Sequence, residues 1–205
     1  MGNLSIVYYT SNAEDPMFEK RVRDNISRVT NLPIISVSQK PIGFGKNFCV
    51  GDIGKSYLNE WKQILIGLKL AKTRFCIAAE SDCLYPPEYF TFVPLAEDLV
   101  YRYSNVWAYW KNRNKFWRKP KCEGAQMCGR EYWIERLESA LASSNNPNEI
   151  STRIFEKEGR WGGNPVITFL TGDGISTKTS MCKEPPVDKL PYWGTASEIR
   201  ERMFQ

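Results

Sequence analysis

KTRFCIAAESDCLYPPEYF, residues 72–90, runs an apolar stretch into two acidic side chains and then into two prolines. Phe75 to Ala79 are apolar with no helical stripe, the pattern of a short strand buried on both faces of a sheet. Glu80 and Asp82 follow at once. Side chains alternate along an extended segment, so residues two apart are expected to face one side at the carboxyl end of this strand. Open α/β sheets bind their ligands there. Two hard oxygen ligands suit Mg²⁺ or Mn²⁺ on phosphate oxygens better than Zn²⁺, which prefers nitrogen and sulfur. A solvated acidic turn is the alternative, and Pro86-Pro87 behind the acids favours a strand end over it.

Outward from this stretch the chain alternates. Leu4 to Tyr9 reads as a first strand closed by Thr10-Ser11-Asn12, and Asp15-Pro16 starts a helix over 17–29. Pro33 to Val37 is a second strand. A glycine-rich connection, GFGKNFCVGDIG, spans Gly43 to Gly54, and Ser56 caps a helix with Leu58, Trp61, Ile64, Leu65 and Leu68 on one face. The third strand, 74–79, completes a β-α-β-α-β order, which implies a mostly parallel sheet flanked by helices. Further on, Val106–Trp110 reads as a strand, Arg130–Ala142 as a helix, Ser143–Asn148 as a polar loop and Val166–Leu170 as a last strand before a strapped tail.

Composition sets the limits. The chain has 205 residues, 42% of them hydrophobic and 13% aromatic, enough to bury a full core as one domain. It has no run of eighteen apolar residues and no basic-then-apolar leader, so the reading is soluble, cytoplasmic and free of membrane. The six cysteines, at 49, 76, 83, 122, 128 and 182, form no C-x-x-C pair and read mostly as buried free thiols of a reducing compartment. There is no histidine at all. That removes Ser-His-Asp and Cys-His hydrolases, His-ligated zinc enzymes and any imidazole base. Chemistry is left to carboxylates, amines, hydroxyls, thiols or a hard metal.

The order LSIVYYTSN, VGDIGKSYLNEWKQILIGLKLAKTRF and CIAAESDCLYPPEYF resembles the nucleotide-sugar half of small GT-A-fold glycosyltransferases, phage-encoded ones in particular, over roughly residues 4–90. Residues 161–196, with GGNPVITFLTGDG and LPYWGTA, resemble the closing segment of the same proteins. The resemblance implies a single α/β, Rossmann-like GT-A domain over 1–205. Its nucleotide-sugar half would be 1–95, and 96–205 the acceptor half with a C-terminal strap. It implies a first strand ending under the base, a nucleotide-diphosphate sugar as donor, UDP-sugar foremost, and Mn²⁺ or Mg²⁺ on an Asp-x-Asp-like motif. Where such sequences often carry a late histidine ligand, this chain offers Thr168 or Asp173, which implies a weakly held or dispensable metal.

Breaking the anomeric C–O bond builds charge on the departing diphosphate, and cations stabilise it. Asp82 is the expected direct ligand, with Glu80 on the metal through water or on ribose hydroxyls. Thr10, Ser11 and Asn12 are candidates for base or ribose, and Lys46, Lys55 and the amides from Gly51 to Gly54 for phosphate. The glycine stretch matches neither the GxGxxG nor the Walker A spacing, and an ordinary loop is its other reading. Glu123 and Glu131 are candidate bases for an inverting reaction, against the plain alternative of first-turn helix acids.

Net charge is +5, and Lys111–Lys121, KNRNKFWRKPK, holds six cations and no acid, with two rings among them. Lys111, Arg113, Lys115, Phe116, Trp117, Arg118 and Lys119 therefore form a candidate nucleic-acid surface, the rings stacking on bases or filling the space of a flipped one. With the phage resemblance, this favours transfer to a hydroxylated base in phage DNA. A glycan, protein or small-molecule acceptor, or a nucleic-acid-binding module without catalysis, are the other readings. A nucleotidyltransferase usually wants a basic loop after the first strand, and residues 10–15 are acidic here.

Overall fold

A computed structural model of the chain describes residues 3–170 and 181–205. The first strand, β1 (Leu4–Thr10), leads through the Asp15 cap into α1 (Pro16–Val29). The Asp15 carboxylate accepts from the amides of Met17 and Phe18, satisfying two donors that a helix start leaves free. Then come β2 (Ile34–Ser38), β3 (Lys46–Cys49), α2 (Tyr57–Leu70) and β4 (Phe75–Glu80). After β5 (Cys83–Leu84) a short 3-10 turn, Pro87–Phe90, precedes β6 (Val100–Tyr103), β7 (Val106–Trp110), β8 (Lys115–Lys119) and β9 (Gln126–Gly129). The remainder is α3 (Arg130–Ser143), α4 (Pro147–Ile154), β10 (Glu158–Trp161), β11 (Val166–Leu170), β12 (Lys189–Leu190), β13 (Gly194–Thr195) and α5 (Ala196–Phe204).

Seven strands form the central sheet in the order β10-β6-β9-β4-β1-β2-β3. Only β9 runs against its neighbours, so the sheet is mostly parallel, as the alternating pattern predicts. Its two faces are filled by the two side-chain sets of β1. Ile6 and Tyr8 pack with Phe18, Val22 and Ile26 of α1, while Val7 and Tyr9 pack with Trp61, Ile64 and Leu68 of α2 and Trp133 of α3. A second sheet, β5-β11-β7-β8, lies on the α1 side, and its ring cluster Phe18, Phe169 and Phe204 ties α1 to α5.

Several expectations need correction. The glycine-rich connection contains a strand: Lys46–Cys49 pairs in parallel with β2, its own pattern too short and polar to announce it. The polar loop 143–148 is only a break between helices, because Asn146 caps α4 through the amide of Asn148. Strand β4 includes Glu80, and Ser81-Asp82 form a turn, so Asp82 is positioned by that turn and not by strand alternation. The tail is a small hairpin followed by a helix, started by a capping box in which Thr195 and Glu198 each bond the other's backbone amide.

Candidate active site

Strand order reverses at β1, with β2 on one side and β4 on the other, and such a reversal opens a crevice at the carboxyl ends. A cleft of about 410 Å³ lies there. Its walls come from the end of β1 (Tyr9, Thr10, Ser11), the end of β4 with its turn (Glu80, Ser81, Asp82) and the first turns of α2 from Gly54 to Gln63. The α2 start is held open toward it by Ser56, whose hydroxyl accepts from the Asn59 amide, and Asn59 donates to the Gly54 carbonyl. Buried Gln63 donates to the carbonyls of Thr10 (2.9 Å) and Val37 (3.1 Å), fixing the strand ends against the helix.

The cleft concentrates negative charge. Burial pushes Glu60 well above the usual carboxylate range, and Glu123 and Asp82 push it further. Burial does the same to Glu80, with Asp82 and then Glu60 adding to it. Asp82 is raised by burial and partly relieved by a hydrogen bond from the Cys83 thiol (3.3 Å) and by Lys119. Lys119 itself is raised: the surrounding thiols and carboxylates outweigh the cost of burying its charge. Lys55 at the mouth pairs with Glu14 at 3.4 Å. Four carboxylates, Glu14, Glu60, Glu80 and Asp82, thus line one cleft, with Glu123 close to Glu60 and Lys55 and Lys119 near them.

Of the expected donor-site residues, Thr10, Ser11, Gly54, Lys55, Glu80 and Asp82 all line this cleft. The Thr10 hydroxyl is committed to Glu19 at 2.9 Å, so Thr10 offers the cleft no free hydroxyl proton. Glu123 is close enough to raise Glu60, and is half-buried. Four expectations go elsewhere. Asn12, at φ 53°, accepts from the amides of Gln39 (2.9 Å) and Lys40 (2.8 Å) and so clamps the ends of β1 and β2 outside the cleft. Lys46 sits at the start of β3 opposite Ile35, in the row of Val7, three residues short of the strand ends. Gly51 is exposed and off the cleft wall. Glu131, paired with Arg130 in the first turn of α3, lies at the opposite end of the sheet, since the Arg130 amide bonds the Arg74 carbonyl ahead of β4. Asp173 falls outside the described residues; Thr168 pairs with Cys83 across β11 and β5.

Residues 115–119 of the basic segment are a hairpin arm and 111–114 its turn, because β8 pairs with β7 from Val106↔Lys119 to Trp110↔Lys115. Phe116 is fully buried against Tyr109 and cannot stack on a base. Lys115 pairs with Asp188, Lys111 lies over the Phe204 ring, and Arg118 donates to Asn105 and the Ser104 carbonyl. Trp117 packs on Trp110, with Arg113 over the Trp110 ring, and only Lys119 turns to the acidic cleft. Sequence reasoning missed Glu60, Tyr57 and Gln63. Glu60 stands in the first turn of α2, and nothing local distinguishes it.

No protein-family model matches the chain, and no curated protein matches it. Solved structures do. S. aureus TarS 1-349 in complex with UDP-GlcNAc superposes with a TM-score of 0.55 at 9% identity, over 86% of this chain and 61% of that one. A glycosyltransferase involved in glycosylation of the major capsid of PBCV-1 gives 0.51 at 10% identity, over 78% and 82%. The fold is GT-A-like. The bifunctional IspDF from Campylobacter jejuni gives 0.43 at 12% identity, with this chain spanning 50% of its length, too distant a likeness to argue from. The GT-A neighbours share the mostly parallel sheet, and identities near a tenth carry the fold alone.

A GT-A fold brings the question of a divalent cation. The donor set fits one: Glu80 and Asp82 offer carboxylate oxygens from nearby backbone, Glu80 pushed toward the neutral form by burial and its acidic neighbours and Asp82 by burial, a penalty that a nearby cation would relieve. No described helix is long and apolar enough to cross a membrane.

Proposed function

We propose that the protein transfers a sugar from a nucleotide-diphosphate sugar, UDP-sugar foremost, to a hydroxyl acceptor. The observation that carries this is the gathering of Glu60, Glu80 and Asp82 at the β1/β4 reversal of a GT-A-like sheet, beside the start of α2, with Glu123 near enough to act on Glu60. Asp82 and Glu80 would hold a Mn²⁺ or Mg²⁺ ion, which supplies stabilisation of charge on the leaving diphosphate. Lys55 and the free amides at the α2 start bind phosphate oxygens, and Tyr57, 60% exposed at the mouth, offers a ring to the base. Ser11 bonds the ribose. An inverting reaction needs a carboxylate for the acceptor proton. Glu123 is that base in this reading, with Glu60 beside it, held above the usual carboxylate range by burial and by Glu123.

For the acceptor, the half-buried pair Trp110–Trp117 with Arg113 is what remains of the expected nucleic-acid surface. It supports a hydroxymethylated base in phage DNA as the first acceptor to assay, with glycans, proteins and small molecules as the others. The test is a transfer assay with UDP-, GDP-, CDP- and TDP-sugars, each with and without Mn²⁺, on those acceptors. Asp82→Ala is expected to lower turnover by about 10²–10³, the usual size of losing one electrostatic stabiliser of a leaving group. Turnover unchanged in Asp82→Ala would remove the cleft from the mechanism.

A further inference from the structure

Under the floor of the cleft, three segments converge on a second kind of donor set. Glu80 ends β4, Cys83 opens β5, and Cys122 stands in the turn before β9; one carboxylate oxygen and the two sulfurs all lie within 4.8 Å of one another. Both cysteines are buried, and both are free thiols. Among the described residues this is where three such ligand-bearing side chains meet.

The surroundings are built to keep them together. Tyr85 accepts from the Glu80 amide at 2.8 Å and donates to the Gly124 carbonyl at 2.7 Å, so one ring hydroxyl fastens the Glu80 segment to the Cys122 turn. Beside it, Tyr89 donates to the Ala78 carbonyl at 2.7 Å, holding the same strand. Gly124 gives the set its room: a Cβ there would lie 2.7 Å from the Glu80 carboxylate and 3.4 Å from the Cys83 sulfur. Outer partners of this kind orient the groups that touch a metal.

We infer that Glu80, Cys83 and Cys122 form a site for a soft divalent ion, Zn²⁺ by chemical class. Two thiolates and one carboxylate make three ligands of a tetrahedral site and leave the fourth position to water. Binding sends to solvent every proton the three ligands carry, those of the thiols and that of the Glu80 carboxyl, and the bound ion and Lys119 together balance the three negative charges. The set is distinct from the oxygen pair Glu80 and Asp82, which suits a hard cation, although Glu80 belongs to both. It stands without the glycosyltransferase reading, since nothing in it requires a nucleotide.

The test uses the full chain, reduced, stripped with chelator, loaded with Zn²⁺ or Co²⁺ and desalted, in the absence of nucleotide. About one equivalent of metal should be retained, and the Co²⁺ form should show thiolate-to-metal charge-transfer absorption. Cys83→Ser and Cys122→Ser should each lose most of that band, while Cys49→Ser, on the exposed strand β3, keeps it. No retained metal, a cobalt form without the thiolate band, or a band undiminished in Cys122→Ser overturns the inference. The first two outcomes are read on the unaltered chain, so a variant that fails to fold leaves no gap, and none of them depends on sugar transfer.

Discussion

Glu60 shows at the residue scale how a side chain with no sequence signature becomes a strongly perturbed acid of a cleft. It sits in the first turn of α2, takes a long hydrogen bond from Tyr9 (3.5 Å) and feels the charges of Glu123 and Asp82. Its pKa is higher folded than unfolded, so the fold binds its proton more tightly than the open chain does. That contribution is complete below the unfolded value, about 4.3 for Glu, and is lost as pH rises through the folded value. Glu80 and Asp82 act in the same direction. Glu60→Gln removes one such charge. It should match the wild type near pH 4 and become the more stable by a few degrees at pH 8, the shift that about 1 kcal/mol gives in a domain of this size. Melting curves of both proteins across that range, free of divalent ions, check it; a difference that shrinks with pH would contradict the assignment. Asn12 teaches the converse. As a polar residue after the first strand it reads as a ligand contact, yet its carboxamide is spent on two backbone amides of its own fold.

Among the elements, those with a strong period were legible and those defined by their partners were not. The start of α1 at Asp15-Pro16, that of α2 at Ser56, and β11 at Val166–Leu170 all stand where capping residues and apolar runs put them. Strands β3, β6, β8, β9 and β10 are four or five residues long, and β3 and β10 bury little. Such segments are strands because a neighbour pairs with them, which no local pattern records. The basic segment misled for a related reason: its cations and rings suggested a nucleic-acid surface, while the alternation of Phe116 with Lys115 and Trp117 was already that of a strand with one buried side. Helix α2 offers a test of the packing that sets the cleft wall. Gly67 lets the helix approach β1 so closely that an added Cβ would lie 2.4 Å from Val7. Gly67→Ala should therefore destabilise by about 1–3 kcal/mol, as overpacking of a filled core does. Denaturant unfolding measures it, and an unchanged midpoint would mean that α2 is free to shift.

At the scale of the whole molecule, the alternating β-α-β-α-β order predicts a crevice at the strand ends, and a cleft lies there. What remained hidden was convergence across the chain. Glu60, Glu80, Cys83, Lys119, Cys122 and Glu123 come from α2, the β4–β5 turn and the β8–β9 connection, and only the completed sheets bring them together. The central claim is that this cleft takes a nucleotide diphosphate with a hard cation, and nucleotide-dependent thermal stabilisation measures it most directly. Wild type and Asp82→Ala are melted with UDP, GDP, CDP or TDP, each with and without Mn²⁺. At a hundredfold saturation a true site adds about 2.7 kcal/mol, a shift of several degrees. The account predicts that shift for one nucleotide, dependent on Mn²⁺ and lost in Asp82→Ala; no shift with any nucleotide, or one that persists in Asp82→Ala, would contradict it.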